Sequence, residues 1–169
     1  MLGGDLPGLG KSAGFMKALA AAFTSGEPGT EINEPDGTRI VVDAPDAPGV
    51  ARVLRGESDD GPWKLRVYNP APTVPPEFPD DHPFIPDAMF TLMNAGERMM
   101  MTWIGFGGPA GLADTAIAQS LGNGWVEEPA TPRDGMPNLR QFRRGGRVRS
   151  IFHATAGPMG YATLWEAPA

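Results

Sequence analysis

Cysteine is absent from these 169 residues. That absence excludes disulfides, thiolate metal sites and cysteine nucleophiles together, while leaving the compartment open. Histidine is scarce, with only His82 and His153. No stretch approaches the roughly 18 consecutive apolar residues needed to span a bilayer, so membrane insertion by a helix is not expected. Basic charge is not in excess either. A formal net charge of -6 argues against a protein-wide nucleic-acid footprint, and any anion site must be local. No basic residue precedes Lys11, and Lys17 interrupts the early apolar stretch, which argues against a secretory signal. A cytoplasmic location is the expectation.

What the chain does contain in quantity is glycine, 23 residues, and proline, 19 residues. Much of it must therefore be turns and straps. Its length suits one domain, 1–169, that needs neither metal nor disulfide to close its core.

Glycines and Pro7 make residues 1–11 read as a flexible arm. Ser12 then caps an expected helix in which Phe15, Leu19 and Phe23 recur every four residues. Pro35-Asp36-Gly37 turns a hairpin between Glu31–Glu34 and Thr38–Asp43, because Asp-Gly supplies the positive φ of a tight turn. Val50–Gly56 and Trp63–Tyr68 form a second pair, the latter alternating apolar and polar residues with the period of two of a half-buried strand. Seven prolines between Asn69 and Pro86 exclude helix and central strand and predict an extended strap over 69–86, held by Phe78, Phe84 and Ile85.

Ala88–Asn94 and Arg98–Ile104 predict a buried hairpin. Adjacent Met99, Met100 and Met101 must point to alternate faces, so both of its faces should be covered. A second helix follows, with Leu112, Ala113, Ala116, Ile117 and Leu121 inward, Asp114 in its first turn, and Gly122 and Gly124 ending it. Leu139–Arg144, Arg147–Ala154 and Tyr161–Glu166 then predict a three-stranded meander. The fold class read from this pattern is α+β: mainly an antiparallel sheet of short strands and hairpins, with two amphipathic helices packed on one face. Each half shows a helix followed by strands, the pattern of an internal pseudo-repeat, although too few residues match to assert a duplication.

Gly105-Phe106-Gly107-Gly108-Pro109-Ala110-Gly111, followed by a helix and by Glu127, resembles the strand, turn and helix of a dinucleotide-binding fold, in particular its flavoprotein version. In that resemblance Gly105, Gly107, Gly108 and Gly111 would admit a pyrophosphate, and Glu127 would hold a ribose hydroxyl. Phe106 occupies the place of the first required glycine, and the residues after Glu128 read as hairpins instead of further βαβ units. Gly10-Lys11-Ser12 is similar to the end of a phosphate-binding loop, but Asp5 replaces its first glycine. The same serine in Gly10-Lys11-Ser12-Ala13-Gly14 matches a nucleophile elbow with no room for the strand that motif needs. Asp80-Asp81-His82 offers metal-ligand atoms in a polar strap without a second histidine nearby in sequence, and no metal site or cofactor is assigned.

The most concentrated chemical feature is basic. If Gly145-Gly146 makes a two-residue turn, then Arg140, Phe142, Arg144, Arg147, Arg149 and Ile151 share one face, with Leu139, Val148 and Phe152 opposite. Arginines around an aromatic side chain suit an acidic protein surface, a phosphate or a nucleic-acid strand; acids such as Glu127 and Glu128 would instead neutralise them within the chain. The functional expectation is a non-catalytic binding domain of adaptor, immunity or chaperone type. It would contact an acidic or anionic partner, a protein in the first instance, through Arg140, Phe142, Arg144, Arg147 and Arg149. The alternatives are a small-molecule or nucleotide-binding domain using the 105–111 turn, and a nucleic-acid accessory protein. Open sheet edges leave homodimerisation available.

Overall fold

The structure is a computed structural model that describes residues 20, 21, 24, 26–33, 35, 37, 39–58, 61–76, 78–106, 108–130, 136 and 138–169. Ten strands and one helix follow in order: β1 (Glu31–Asn33), β2 (Arg39–Asp43), β3 (Val50–Ser58), β4 (Gly61–Tyr68), β5 (Met89–Ala95), β6 (Arg98–Phe106), α1 (Pro109–Gly122), β7 (Val126–Glu128), β8 (Arg140–Arg144), β9 (Arg147–Ala156) and β10 (Met159–Pro168). They form a single sheet in the order β1-β2-β3-β4-β5-β6-β10-β9-β8-β7. Every neighbouring pair is antiparallel.

This corrects the α+β expectation with two amphipathic helices on one face. Among the described residues the molecule is a ten-stranded antiparallel sheet with one short helix. The arm 1–11 lies outside the described residues, as does the helix expected from Ser12 apart from Ala20 and Ala21. What local periodicity could not reveal is the pairing of β10 with β6, from Met159↔Phe106 to Glu166↔Met99. That pairing fuses a six-stranded meander, β1 to β6, with a four-stranded one, β7 to β10. Each strand alternates its side chains between two faces, so a sheet this wide offers two surfaces to cover.

Both faces are covered. Met99 and Met101 enter a cluster with Phe90, Trp103, Ile151 and Leu164 on one face, while Met100 enters a cluster with Leu54, Leu65, Phe152 and Trp165 on the other. The alternation expected of the three methionines is thus observed. The first face is roofed by α1, through Ala113, Ala116 and Ile117, and by the proline-rich strap, through Phe78, Phe84 and Ile85. On the second face Ala21, Met136 and Leu139 join the cluster.

The helix departs from its expected detail. It starts at Pro109, a residue suited to the first helical position because its missing N–H has no helical partner there. Asp114 consequently falls beyond the first turn. The inward stripe is Ala113, Ala116, Ile117 and Ser120, while Leu121 is 45% exposed. The C-terminus is closed by Gly124, whose φ of 84° a side chain would disfavour. Gly124 N–H donates to Leu121 O and Trp125 N–H to Ser120 O, at 3.1 Å each. This paired closure turns the chain sharply and brings Trp125 back under the helix end.

Candidate functional site

Ser120 and Trp125, fixed by that closure, form two walls of a buried ionic cluster. The third wall is the sheet, where the register Phe142↔Arg149 and Arg149↔Glu166 sets an arginine beside an aromatic ring on one strand and a carboxylate on another. Arg149 is fully buried, and its guanidinium carbon lies 4.0 Å from the centroid of the Trp125 ring. Its Nη1 donates to Ser120 Oγ at 2.9 Å, and Nη2 donates to Glu166 Oε2 at 3.0 Å and to the strap carbonyl Asp81 O at 2.9 Å. Ser120 Oγ in turn donates to Ala116 O. Glu166, itself 6% exposed, bridges two arginines: Oε1 accepts from Arg147 and Oε2 from Arg149.

Burial disfavours the charged guanidinium and lowers the pKa of Arg149, with Glu166 opposing that shift. A cation removed from water is held by stacking, by a carboxylate and by two neutral acceptors, so the charge is compensated on several sides. The cluster joins four elements: α1, β9, β10 and the strap. A second clamp lies alongside, where Phe84 N–H donates to Gln119 Oε1 at 2.7 Å and Gln119 Nε2 donates to Phe84 O at 2.6 Å.

The arginines singled out in the sequence do share one face, since Arg144 pairs with Arg147 across the Gly145-Gly146 turn and Arg140 with Ile151. That face is the one roofed by the helix. Phe142 and Arg149 are fully buried within it. Arg140 forms a two-pronged pair with Glu127, 2.7 Å at each contact, and sits 5.7 Å over the Phe142 ring. That bond to Arg140 pulls the Glu127 pKa down. Arg144 meets Asp81 at 2.6 Å, and Arg147 also donates to Glu97 O at 2.8 Å. Arg143, not singled out, pairs with Glu128 at 2.7 Å. Each arginine of β8 and β9 therefore has an acid partner.

Gly105 lies near the end of β6, Gly108 caps α1 and Gly111 lies in its first turn, while Gly107 falls outside the described residues. A Cβ built at Gly108 or Gly111 would meet no atom within 4 Å. The strand before α1 has antiparallel neighbours on both sides, and β7 after it pairs with β8 at the sheet edge. The adjacent parallel strands that define a dinucleotide crevice are not found among the described residues, and Glu127 is engaged by Arg140. Among those residues, no three His, Asp or Glu side chains gather to hold a metal ion. His153 is half-buried, with its backbone N–H and C=O both bound to the Asn138 side chain. Among the described residues no helix is long and apolar enough to cross a membrane.

Sequence reading missed Glu166, Ser120 and Trp125, and weighed Asp81 only as a source of metal-ligand atoms. One signal was present: Ser120 follows Ala113, Ala116 and Ile117 on the inward helical stripe, and a hydroxyl in that position requires a buried polar partner. Comparison of the chain with family models, curated proteins and solved structures finds no match.

Proposed function

We propose that this chain is a non-catalytic binding domain that engages a carboxylate-bearing protein partner through the β8–β9 hairpin and the adjoining β7 edge. The observation that carries the reading is the division of labour among the arginines. Arg140, Arg143 and Arg144 have side chains 40%, 46% and 46% exposed, and their acid partners are comparably exposed. Exposed pairs of this kind hold by about 1 kcal/mol or less, so a partner's carboxylates exchange into them at little cost. Arg149, fully buried, and Arg147, partly exposed, are anchored on the shielded Glu166 and keep the hairpin rigid, which limits the ordering entropy of association.

A protein is favoured over nucleic acid because the basic groups of the hairpin are already interleaved with acids, leaving a mixed-charge surface instead of a positive stripe. The 105–111 turn carries no second reading, because its strand context is antiparallel.

The test is crosslinked capture from an extract of the source cells, comparing the native chain with Arg140→Ser/Arg143→Ser/Arg144→Ser. These substitutions touch exposed pairs, so the variant keeps its fold by circular dichroism. A protein retained by the native chain and lost from the variant is the expected result. Identical captured sets from the two would reject this surface, and capture confined to nucleic acid with a steep salt dependence would replace the partner class.

A further inference from the structure

We infer that the strap between β4 and β5 is an acid-sensitive latch: protonation of His82 releases residues 79–86 from the sheet and uncovers Phe78, Phe84 and Ile85. The inference does not rest on the partner surface proposed above, although Arg144 belongs to both.

The strap is held by a few polar contacts over an apolar seat. Gln119 grips Phe84, Arg149 holds Asp81 O, and Arg144 holds the Asp81 carboxylate. His82 follows directly, its ring set edge-on to Phe78 at 6.5 Å. Its Nδ1 is buried and has no hydrogen-bond partner among the described residues. The charged groups acting on the ring come from every side: Asp81 in the strap, Arg147 and Arg149 on β9, and Glu166 on β10. Arg144 of β8 reaches the same place through Asp81. From α1 the contacting residues are Gln119 and Ser120, which do not titrate. Two arginines and two carboxylates thus act on this ring.

The neutral ring leaves one lone pair unsatisfied. A protonated ring would bury an N–H without an acceptor and add a positive charge to two arginines already balanced by two carboxylates, both costly away from water. Once the strap lifts, the ring is hydrated and accepts the proton freely. Burial accordingly holds the His82 pKa below its ordinary value. The sign follows: the latch has its full strength above the ordinary histidine value near 6.5 and weakens as pH falls below it. Between pH 7.5 and 5.5 ordinary carboxylates stay ionised, so the latch turns on His82, and His153 is the only other histidine in the chain.

Amide hydrogen exchange of the full chain at pH 7.5 and 5.5, corrected for the intrinsic pH dependence of exchange, reads the latch directly. Phe84 N–H, donated to Gln119, is the reporter. Its protection should fall by up to about tenfold at pH 5.5, the limit set by an ordinary histidine titrating one unit higher, while β3 and β4 amides hold theirs. His82→Gln should abolish the change and His153→Gln should preserve it. Unchanged Phe84 protection in the native chain, or an equal fall in His82→Gln, overturns the latch. Should His82→Gln fail to fold, the imidazole titrations of the native protein decide: strap opening must track a His82 midpoint below the ordinary value, and a midpoint at or above it refutes the proposal.

Discussion

The guanidinium carbon of Arg149 lies over Trp125, 4.0 Å from its ring centroid, and Arg149 has no solvent exposure. The carboxylate of Glu166 balances that charge, and the helix closure at Gly124 puts the indole in place. Cation, ring and acid are delivered by β9, by the turn after α1 and by β10.

Removing one partner from this cluster strands the other without water. Glu166→Gln should cost about 3–5 kcal/mol, as should Arg149→Met. For a chain of this length that corresponds to a fall in Tm of roughly 10 °C. Urea unfolding measures it, and the double variant Arg149→Met/Glu166→Leu should recover part of the loss, since no buried charge is then left alone. Additive losses would show that the pair does not function as a unit.

Arg140→Gln tests the opposite regime. Its pair with Glu127 is exposed on both sides, and the stability change should stay within about 1 kcal/mol. Denaturation in low and high salt should differ less for Arg140→Gln than for the native chain, because an exposed pair is screened.

Asp46 supplies the acid limb. Hydrogen bonds from Arg66 and Lys64 hold its pKa down at about 2. The stabilisation from these contacts is complete above the ordinary carboxylate value near 3.8 and is lost as pH falls through about 2. Part of the site is open to water, so the contribution at neutral pH is about 1 kcal/mol or less. Asp46→Asn should flatten the stability profile between pH 4 and 2, as read by unfolding at each pH, and leave its slope above pH 5 unchanged.

Gly56 and Trp63 face each other across β3 and β4. A Cβ at position 56 would stand 2.5 Å from Trp63 Cζ2 and 2.9 Å from the Arg39 carbonyl. The backbone oxygen cannot retreat cheaply, and Gly56→Ala should cost about 1–3 kcal/mol. Gly108→Ala, with nothing within 4 Å of the added carbon, is the matched control and should unfold at nearly the native temperature.

How far the sequence carried this picture depends on where each cause resides. The Gly145-Gly146 turn, the alternation of Met99 to Met101 and the burial of Phe78, Phe84 and Ile85 follow from neighbours a few residues away, and each was legible. The antiparallel hairpins were legible too, but the α+β class with two helices was not borne out, since the described residues hold one helix, and the pairing of β10 with β6 is one no local period encodes. At the arginine hairpin the shared face was legible but its environment was not. Phe142 and Ile151 on that face already pointed toward the core, yet Arg149 can be buried there only because Ser120, Glu166 and Asp81 O converge on it from distant segments. Side-chain parity is a local property; the compensation of a buried charge is a tertiary one.

The β6–β10 seam also has a kinetic meaning. Its partners stand more than fifty residues apart in the chain, whereas the hairpins on either side close over a few. Loop-closure entropy is spent before such a seam returns any contact, so the two meanders can assemble early and wait for each other. Substitutions at Thr102 and Thr163, whose hydroxyls meet across the seam at 3.1 Å, should then act mainly on the unfolding rate if the seam zips after the transition state. The sheet that looks continuous once formed would carry, in its history, a join.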